Sequence, residues 1–515
     1  MIETGTFLVD TGAIGTKYGV ATLSTRPACV LFMTSGINGI GQIDHNVAGC
    51  DGFMLENGKN YCIAWFEQNG ADPFLSGKGS FNSDCIVRMN GSSTSGGKAK
   101  FSELLDNGFN VEITEQFGAS VLVAYTAISG MEYDAVEITE PGAAGVMTIN
   151  SAGFLPTFAR ILGTGVTAWN TMTTDEEFMI GVTSGPAADN NGVYAVSRPS
   201  GEGQAYGAWY CRRTECLAHI ITGGVGPFTT VTRAVNNGFI EGGMELNFLE
   251  RQGSRVMVVL FATGRWYVFP GETRPNVNPF TYTGMTWPPE GLLLLSRATD
   301  GGTAGFEASE TPQDTAHEDD AINHRSEMHL SRGYATGPTA RVCIAIHGAS
   351  GTAANDCGSM FSDTDVLIGL GNGNIDDIVH RQDVNAVFSA DTIEFIMDVL
   401  DVAPQSFWIG VAIGPPVIEL RSRLTKYLHN TIVSLMEGRN IIRDAQGRDL
   451  PMTEIQPDNY LFSAAFMFPT PVRRHSNIEE NHLHYIESAS VQGNELRAEV
   501  VRESLFDSVM KRLAA

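Results

Sequence analysis

The segment RPACVLFMTSG (residues 26–36) is the clearest sign of the architecture, because its pattern recurs twice along the chain. It places a proline before a short apolar run that ends at a glycine. The pattern returns as GFLPTFARILG (residues 153–163) and, without the closing glycine, as WPPEGLLLL (residues 287–295). Pro156 follows Pro27 by 129 positions, and Pro289 follows Pro156 by 133. Self-similarity at a nearly fixed period indicates a repeated structural unit.

Three further markers follow in the same order. Cysteines within strand-like runs are 131 and 127 positions apart, at Cys85, Cys216 and Cys343. An Asn-Gly-Phe triplet occupies 107–109 and 237–239, with a degraded copy at 385–388. An apolar closing run follows at 121–125, 256–261 and 407–412. Together these markers predict three modules, at residues 1–133, 134–266 and 267–416.

The spacing of the markers also predicts an insertion in the third module. Cys85 and Cys216 precede their Asn-Gly-Phe triplets by 22 and 21 positions, whereas Cys343 precedes Asn385 by 42. We therefore expect an added loop within or near residues 348–380. Insertions in β-modules lie in surface loops, where function also concentrates.

Alternation of apolar and polar residues identifies the strands of these modules. VEIT (residues 111–114) and MELNF (residues 244–248) each have one apolar and one polar face. That pattern is typical of antiparallel sheets with one buried side. We expect a mainly β protein of three tandem antiparallel β-sandwiches of the jelly-roll or lectin-like kind.

The chain changes character after Pro416. Apolar residues at helical spacing predict helices over residues 419–437 and 495–513, separated by a proline-containing loop region. Residues 417–515 are thus expected to form a smaller α+β region that anchors or oligomerises the chain. Three modules in a row would form an elongated rod or arch.

Composition narrows the range of partners. The 515 residues include 33 Lys+Arg and 58 Asp+Glu, a net charge of −25 at pH 7. Phosphate recognition needs clustered cations, so nucleic acid is excluded as a main partner. No apolar run approaches the ~20 residues of a bilayer span, so membrane insertion is not expected. The first residues lack the features of a secretory signal, which predicts synthesis in the cytoplasm.

Several motifs resemble catalytic or metal-binding signatures but are incomplete. Asp10-Thr11-Gly12 matches the aspartic-protease triplet, yet no second copy exists, so a turn after the first strand is predicted. His317 and Glu318 begin a zinc motif whose second histidine is missing. Acidic loops at 307–320 and 372–377, the latter with Asp363 and Asp365, leave calcium as an alternative. We assign no catalytic, cofactor-binding or metal-binding residue and expect no cofactor.

Two tryptophans are candidates for sugar contacts. Trp169 and Trp209 lie in turn-rich stretches, where an exposed indole ring could stack on a sugar.

Taken together, Gly153-Phe154-Leu155-Pro156, the Asn-Gly-Phe triplets and the closing run at 121–125 resemble a repeat of structural proteins from tailed bacteriophages. The resemblance covers about four fifths of the chain. It implies a non-enzymatic component of the virion, either a capsid-decorating protein or a tail or fibre protein. The expected partners are other virion proteins and further copies of the chain. Alternatives are an adhesin that binds a host surface glycan and a polysaccharide hydrolase.

Overall fold

The computed structural model describes residues 1–415 except 45, 69–74, 199, 202–207, 222–228, 274–278, 299–312, 315–327, 337–339, 349–357, 372–379 and 398–405. Beyond residue 415 it describes four strands, at 441–443, 449–451, 482–492 and 495–504. The described residues are mainly β, in antiparallel sheets, with one short 3-10 turn at Ala188–Asn190 as their helical element.

Ten of the first eleven strands form one large and one small sheet, which we call the first sheet pair. In spatial order, the large sheet contains β1 (Ile2–Val9), β11 (Val121–Ile128), β3 (Cys29–Thr34), β5 (Cys50–Leu55), β6 (Asn60–Glu67) and β7 (Ser76–Phe81). The small sheet contains β2 (Lys17–Val20), β10 (Gly108–Glu115), β9 (Thr94–Leu105) and β8 (Ile86–Gly91). The remaining strand, β4 (Ile43–Asp44), leaves this pair.

The next eleven strands repeat this order as the second sheet pair. Its large sheet contains β12 (Tyr133–Thr139), β22 (Val256–Ala262), β14 (Phe158–Gly163), β16 (Glu176–Thr183), β17 (Asn191–Arg198) and β18 (Ala208–Arg212). Its small sheet contains β13 (Gly145–Asn150), β21 (Gly243–Glu250), β20 (Thr229–Ile240) and β19 (Leu217–Ile221). Again the fourth strand of the set, β15 (Thr171–Thr174), belongs to another sheet.

The third sheet pair has the same order. Its large sheet contains β23 (Trp266–Thr273), β33 (Ser406–Ile413), β25 (Gly291–Ala298), β27 (Met328–Thr336), β28 (Ala340–Gly348) and β29 (Gly358–Ser362). Its small sheet contains β24 (Phe280–Thr283), β32 (Thr392–Met397), β31 (His380–Phe388) and β30 (Leu367–Gly371). Its fourth strand is β26 (Gln313–Asp314).

Exchange of the fourth strands joins the three pairs in a cycle. Strand β15 pairs with β7 of the first large sheet, β26 pairs with β18 of the second, and β4 pairs with β29 of the third. Each large sheet therefore has seven strands, one of them supplied by the following pair. The expectation of a rod or arch was wrong, because the first pair closes onto the third.

The repeated prolines lie in equivalent surroundings. Each one is two residues before the strand next to the closing strand. The residue after each proline donates its backbone N–H to the closing strand: Ala28 to Ile128 O (2.8 Å), Thr157 to Ala262 O (2.9 Å) and Glu290 to Ile413 O (2.7 Å). Proline fits here because the position before the strand requires no N–H from it.

A glycine in each large sheet allows the small sheet to approach. A Cβ at Gly52 would lie 2.1 Å from Cys85 O, one at Gly181 would lie 1.8 Å from Cys216 O, and one at Gly333 would lie 1.6 Å from Val366 O. These distances exclude any side chain, so all three positions require glycine. The three glycines also define which residues are equivalent between the pairs.

This equivalence corrects two of the sequence markers. Val366 takes the place of Cys85 and Cys216, whereas Cys343 pairs with Gly333 as Cys62 pairs with Gly52. The spacing of 42 positions between Cys343 and Asn385 therefore does not indicate an insertion between these two residues. The extra length of the third sheet pair lies between β25 and β27, at residues 299–327. The Asn-Gly-Phe triplets differ too: Asn107 lies in the turn before β10, but Asn237 lies within β20. The physical reason is that a two- or three-residue marker can shift along a strand without changing the core.

Apolar side chains form separate clusters within the pairs and a common cluster between them. Within the first pair, Phe109 of the small sheet has its ring centroid 5.5, 5.6 and 5.2 Å from those of Phe7, Phe32 and Tyr125 of the large sheet. Similar clusters join the two sheets of the second and third pairs. The common cluster draws buried residues from all three large sheets, for example Trp65, Phe178 and Ile344. The large sheets therefore face one another. Their strands are buried on both faces, so one face packs against the small sheet of the same pair and the other packs in the common cluster.

The C-terminal residues differ from the expectation. Residues 418–515 cluster as a separate unit, within which β34 (Ile441–Arg443) pairs with β35 (Asp449–Pro451) and β36 (His482–Gln492) with β37 (Glu495–Ser504). The predicted helix over 495–513 is therefore wrong for 495–504. The period-two alternation of Leu496, Ala498 and Val500 and the Gly-Asn pair at 493–494 are signals of a hairpin. The predicted helix over 419–437 and residues 505–513 lie outside the described residues.

Candidate functional site

Charged side chains are buried where the three large sheets meet. Asp51, Ile180 and Arg332 each directly precede the close-approach glycine of their large sheet, so they are equivalent residues of β5, β16 and β27. Arg332 Nη1 donates to Asp51 Oδ2 at 2.7 Å. Equivalent residues of a cyclic arrangement come into contact only near its centre. The Asp51–Arg332 pair therefore marks the centre of the cycle.

The second sheet pair contributes a further cation to this centre. Arg160 of β14 donates Nη2 to the same Asp51 Oδ2 at 2.6 Å, and the three charged side chains are buried. The guanidinium of Arg332 also lies 4.7 Å from the ring centroid of Trp65, a cation–π contact. Burial lowers the pKa of Arg160, but its interactions with Asp51 and Tyr334 together outweigh this effect, so the pKa is raised overall. We call Asp51, Arg160 and Arg332 the central triad.

A second buried cluster joins the first and second large sheets. Glu67 at the end of β6 and Arg198 at the end of β17 are equivalent residues, and they form a fully buried ion pair. Glu176 Oε2 lies 4.0 Å from Arg198 Nε. Burial and the neighbouring charge of Glu67 raise the pKa of Glu176 well above its usual value. Burial and this neighbouring charge therefore both favour the protonated form of Glu176.

The adjacent residue, Glu177, belongs to a third cluster, in which its pKa is lowered rather than raised. Its Oε2 lies 2.8 Å from Lys78 Nζ of the first pair, and its Oε1 lies 3.2 Å from His219 Nδ1 and 3.3 Å from Arg255 Nε. Burial acts to raise the pKa of Glu177, but the contact with His219 and the charges of His219, Lys78 and Arg255 bring it down to about 2. Glu177 is therefore a carboxylate over the whole neutral range, and Lys78 attaches it to the first sheet pair.

The chemistry available to these clusters follows from their burial. Carboxylate and guanidinium groups enclosed between sheets have little contact with a dissolved substrate, and they bind neighbouring strands instead. Each cluster connects residues of different sheet pairs, for example Asp51 with Arg160 or Lys78 with Glu177. Removing one partner of a buried pair is costly because it leaves a charge uncompensated. The arrangement can therefore hold the three sheet pairs in a fixed relation.

The two tryptophans predicted to contact sugars both lie at junctions between sheet pairs. Trp169 is half-buried in the turn before β15, with its ring 5.7 Å from that of Tyr61 of the first pair. The backbone of Trp209 pairs with Val196 on one side and with Gln313 of the exchanged strand on the other, so it lies within a sheet. The Trp209 side chain lies outside the described residues. Sugar binding by either residue stays a prediction.

The other motifs are placed as follows. Asp10 is exposed just after β1, where its carboxylate accepts hydrogen bonds from Ser120 Oγ (2.6 Å) and Thr11 N (2.7 Å), which lower its pKa. The first strand ends at Val9, directly before Asp10, as predicted, and the chain bends at Thr11. Asp365 is buried and accepts a hydrogen bond from Ser362 Oγ at 2.7 Å. Residues 372–377 and nearly all of 307–320 lie outside the described residues, among which no group of three or more His, Cys, Asp or Glu side chains is placed to hold a metal.

Sequence analysis missed the central triad. Its signal was present, because Asp51 and Arg160 interrupt otherwise apolar strands at positions whose neighbours face a core. A charge at such a position predicts a buried partner. Which partner it has depends on how the sheet pairs meet, and the strand pattern does not contain that information.

No helix in the described part of the chain has the length and apolarity needed to cross a membrane. No protein-family model matches the chain, and no curated protein matches it.

Proposed function

We propose that this protein is a non-enzymatic structural component of a bacteriophage particle. In this proposal residues 1–133, 134–266 and 267–416 are three tandem β-sandwich modules, and residues 417–515 attach the ring of modules to the particle or to other copies. The observation that carries the proposal is the cyclic exchange of strands, in which each module completes the large sheet of its neighbour.

The exchange supports a mechanical role for physical reasons. Separating two modules requires breaking the ladder of an exchanged strand, the common apolar cluster and the buried ion pairs together. Such interfaces resemble a divided domain core more than a transient contact. A unit of this kind transmits force and keeps its outer loops at fixed spacing, as a particle component must.

The assignment to a virion is supported by the resemblance of the repeats to phage structural proteins. A net charge of −25 serves solubility at high local concentration and limits adhesion to packaged nucleic acid. The proposed location is the virion, after synthesis in the host cytoplasm. The proposed partners are other virion proteins and copies of the same chain.

The direct test is the composition of purified particles. Quantitative mass spectrometry should find the protein in particles that withstand high salt, at tens to hundreds of copies for a decorating or shell role and at three to eighteen for a fibre. Its absence from infectious particles would refute the structural assignment.

A truncated chain tests the division of labour. Residues 1–416 should fold and stay monomeric but fail to attach to particles that lack the protein, whereas the full chain attaches. If residues 1–416 precipitate, or attach as well as the full chain, the assignment of attachment to 417–515 is wrong.

A further inference from the structure

The central triad borders a cavity at the point where all three sheet pairs meet. The cavity has a volume of about 10 Å³, and its polar lining comes from Asp51, Arg160, Arg332 and Tyr334. Its apolar lining includes Met33 of the first pair and Val182 of the second. All of these residues are buried, so the cavity lies in the interior.

The charges around this cavity do not balance. Arg160 and Arg332 share the single carboxylate of Asp51, and no other carboxylate among the described residues forms an ion pair with either guanidinium. One positive charge is therefore left in the interior, which is unfavourable unless it is compensated. Burial does not neutralise arginine, because its pKa is too high.

The guanidinium groups also have hydrogen-bonding capacity that no protein atom in the described residues uses. Nη1 of Arg160 and Nε and Nη2 of Arg332 are buried N–H groups without a hydrogen-bond acceptor, and Oδ1 of Asp51 and the hydroxyl of Tyr334, two other residues of the cavity lining, are also without a partner. Buried N–H groups are nearly always hydrogen-bonded, to protein, water or a bound ion. Three donors and one excess positive charge around one small cavity fit an acceptor that carries a negative charge.

We propose that this cavity binds a single halide-sized anion, with chloride as the physiological occupant. Its volume has room for about one water-sized guest, so phosphate, sulfate and carboxylate ligands are excluded. A chloride ion accepts several N–H hydrogen bonds and neutralises the excess charge, whereas a water molecule only satisfies hydrogen bonds. Because the site takes residues from all three sheet pairs, the anion stabilises the closed cycle.

The experiment uses the full-length chain in sodium chloride and in sodium gluconate of equal ionic strength. A ligand that binds only the folded state raises the unfolding midpoint in proportion to the logarithm of its concentration. The thermal midpoint should therefore be higher in chloride and should increase with its concentration. Equal midpoints in the two salts at every concentration would overturn the proposal.

Variants separate the cavity from general salt effects. Arg332→Leu leaves Asp51 paired with Arg160 alone and should abolish the difference between chloride and gluconate. The matched control, Arg26→Gln, changes an exposed arginine that pairs with Glu56, and it should keep the difference. A chloride dependence that survives in Arg332→Leu would refute the site.

Crystals of the full-length chain soaked in sodium bromide give a readout that does not depend on the variants. The expected result is an anomalous peak in the cavity, within hydrogen-bonding distance of Arg160 and Arg332. A water molecule in the cavity, with no anomalous peak, would overturn the proposal. Because the crystals contain the unmodified chain, this result holds even if Arg332→Leu fails to fold.

Discussion

The interior of the first sheet pair and the centre between the three pairs are equally buried but differ in chemistry. The first is apolar, with Phe7, Phe32 and Phe109 in edge-to-face contact. The second combines apolar side chains with the charges of Asp51 and Arg332. An apolar core tolerates many partners of suitable volume, whereas a buried charge accepts only a complementary one. The sheet pairs are thus built by hydrophobic burial, and their mutual order is specified by charge.

Equivalent positions of the sheet pairs carry different residues at these buried contacts. Asp51, Ile180 and Arg332 are equivalent, and so are Glu67 and Arg198. A ring of three identical modules would bring like charges together at these positions, which is unfavourable. Because the three sheet pairs belong to one chain, equivalent positions can carry different and complementary residues. The pairs that result distinguish the correct neighbour from the wrong one.

The largest effect is expected from removing the shared carboxylate. Asp51→Ala leaves two buried guanidinium groups without a counter-charge and should cost about 5 kcal/mol of unfolding free energy. The measurement is the midpoint of urea unfolding at neutral pH. The triple variant Asp51→Leu, Arg160→Leu and Arg332→Leu should recover much of the loss, and failure of Asp51→Ala to destabilise would show that the triad is not buried in solution.

A slightly smaller effect is expected in the apolar core. Phe109→Ala removes the ring that contacts Phe7, Phe32 and Tyr125 and should cost about 4 kcal/mol. Urea unfolding measures it, with Leu8→Ala as the matched control, since Leu8 is 44% exposed and should change stability little. Equal effects of the two substitutions would contradict the position of Phe109 between the sheets.

The carboxylate of Glu177 predicts a stability that falls in acid. Its pKa of about 2 in the folded protein lies below the ordinary 4.5, so its contribution is complete above pH 4.5 and is lost as the pH falls towards 2. Glu177→Gln should lower the unfolding free energy at pH 7 by about 3 kcal/mol. It should also flatten the pH dependence between 4.5 and 2. Thermal unfolding across that range is the measurement, and an unchanged acid limb would rule out the assignment.

Glu176 should show the smallest effect, with the opposite sign. Its pKa is raised above 4.5 by burial and by Glu67, so the folded protein binds this proton more tightly than the unfolded chain. Its contribution is complete below pH 4.5 and is lost as the pH rises through the raised pKa. Glu176→Gln should therefore increase the unfolding free energy at neutral pH by about 1 kcal/mol and change little in acid. A loss of stability at neutral pH would show that Glu176 is ionised.

The amino-acid sequence by itself determined the mainly β, antiparallel architecture and the positions of the repeated prolines. Alternation along a strand and a proline before a buried strand depend on local backbone and burial requirements that are the same in all three sheet pairs. Short markers were less reliable: Cys343 was matched to the wrong strand, and residues 495–504 were assigned to a helix. For residues 495–504 the Gly-Asn pair at 493–494 was a sequence signal of the hairpin, whereas for Cys343 only pairing with the neighbouring strand identified its position.

Which sheet pairs meet and which charges pair is visible only in the tertiary structure. Asp51 and Arg332 are 281 positions apart, and their contact exists because β4 closes the third large sheet with a strand from the first pair. The sequences of β4 and β29 do not specify that closure, since one strand can pair with many sheet edges. Burial of a charge makes a partner necessary, and the cyclic arrangement determines which residue it is.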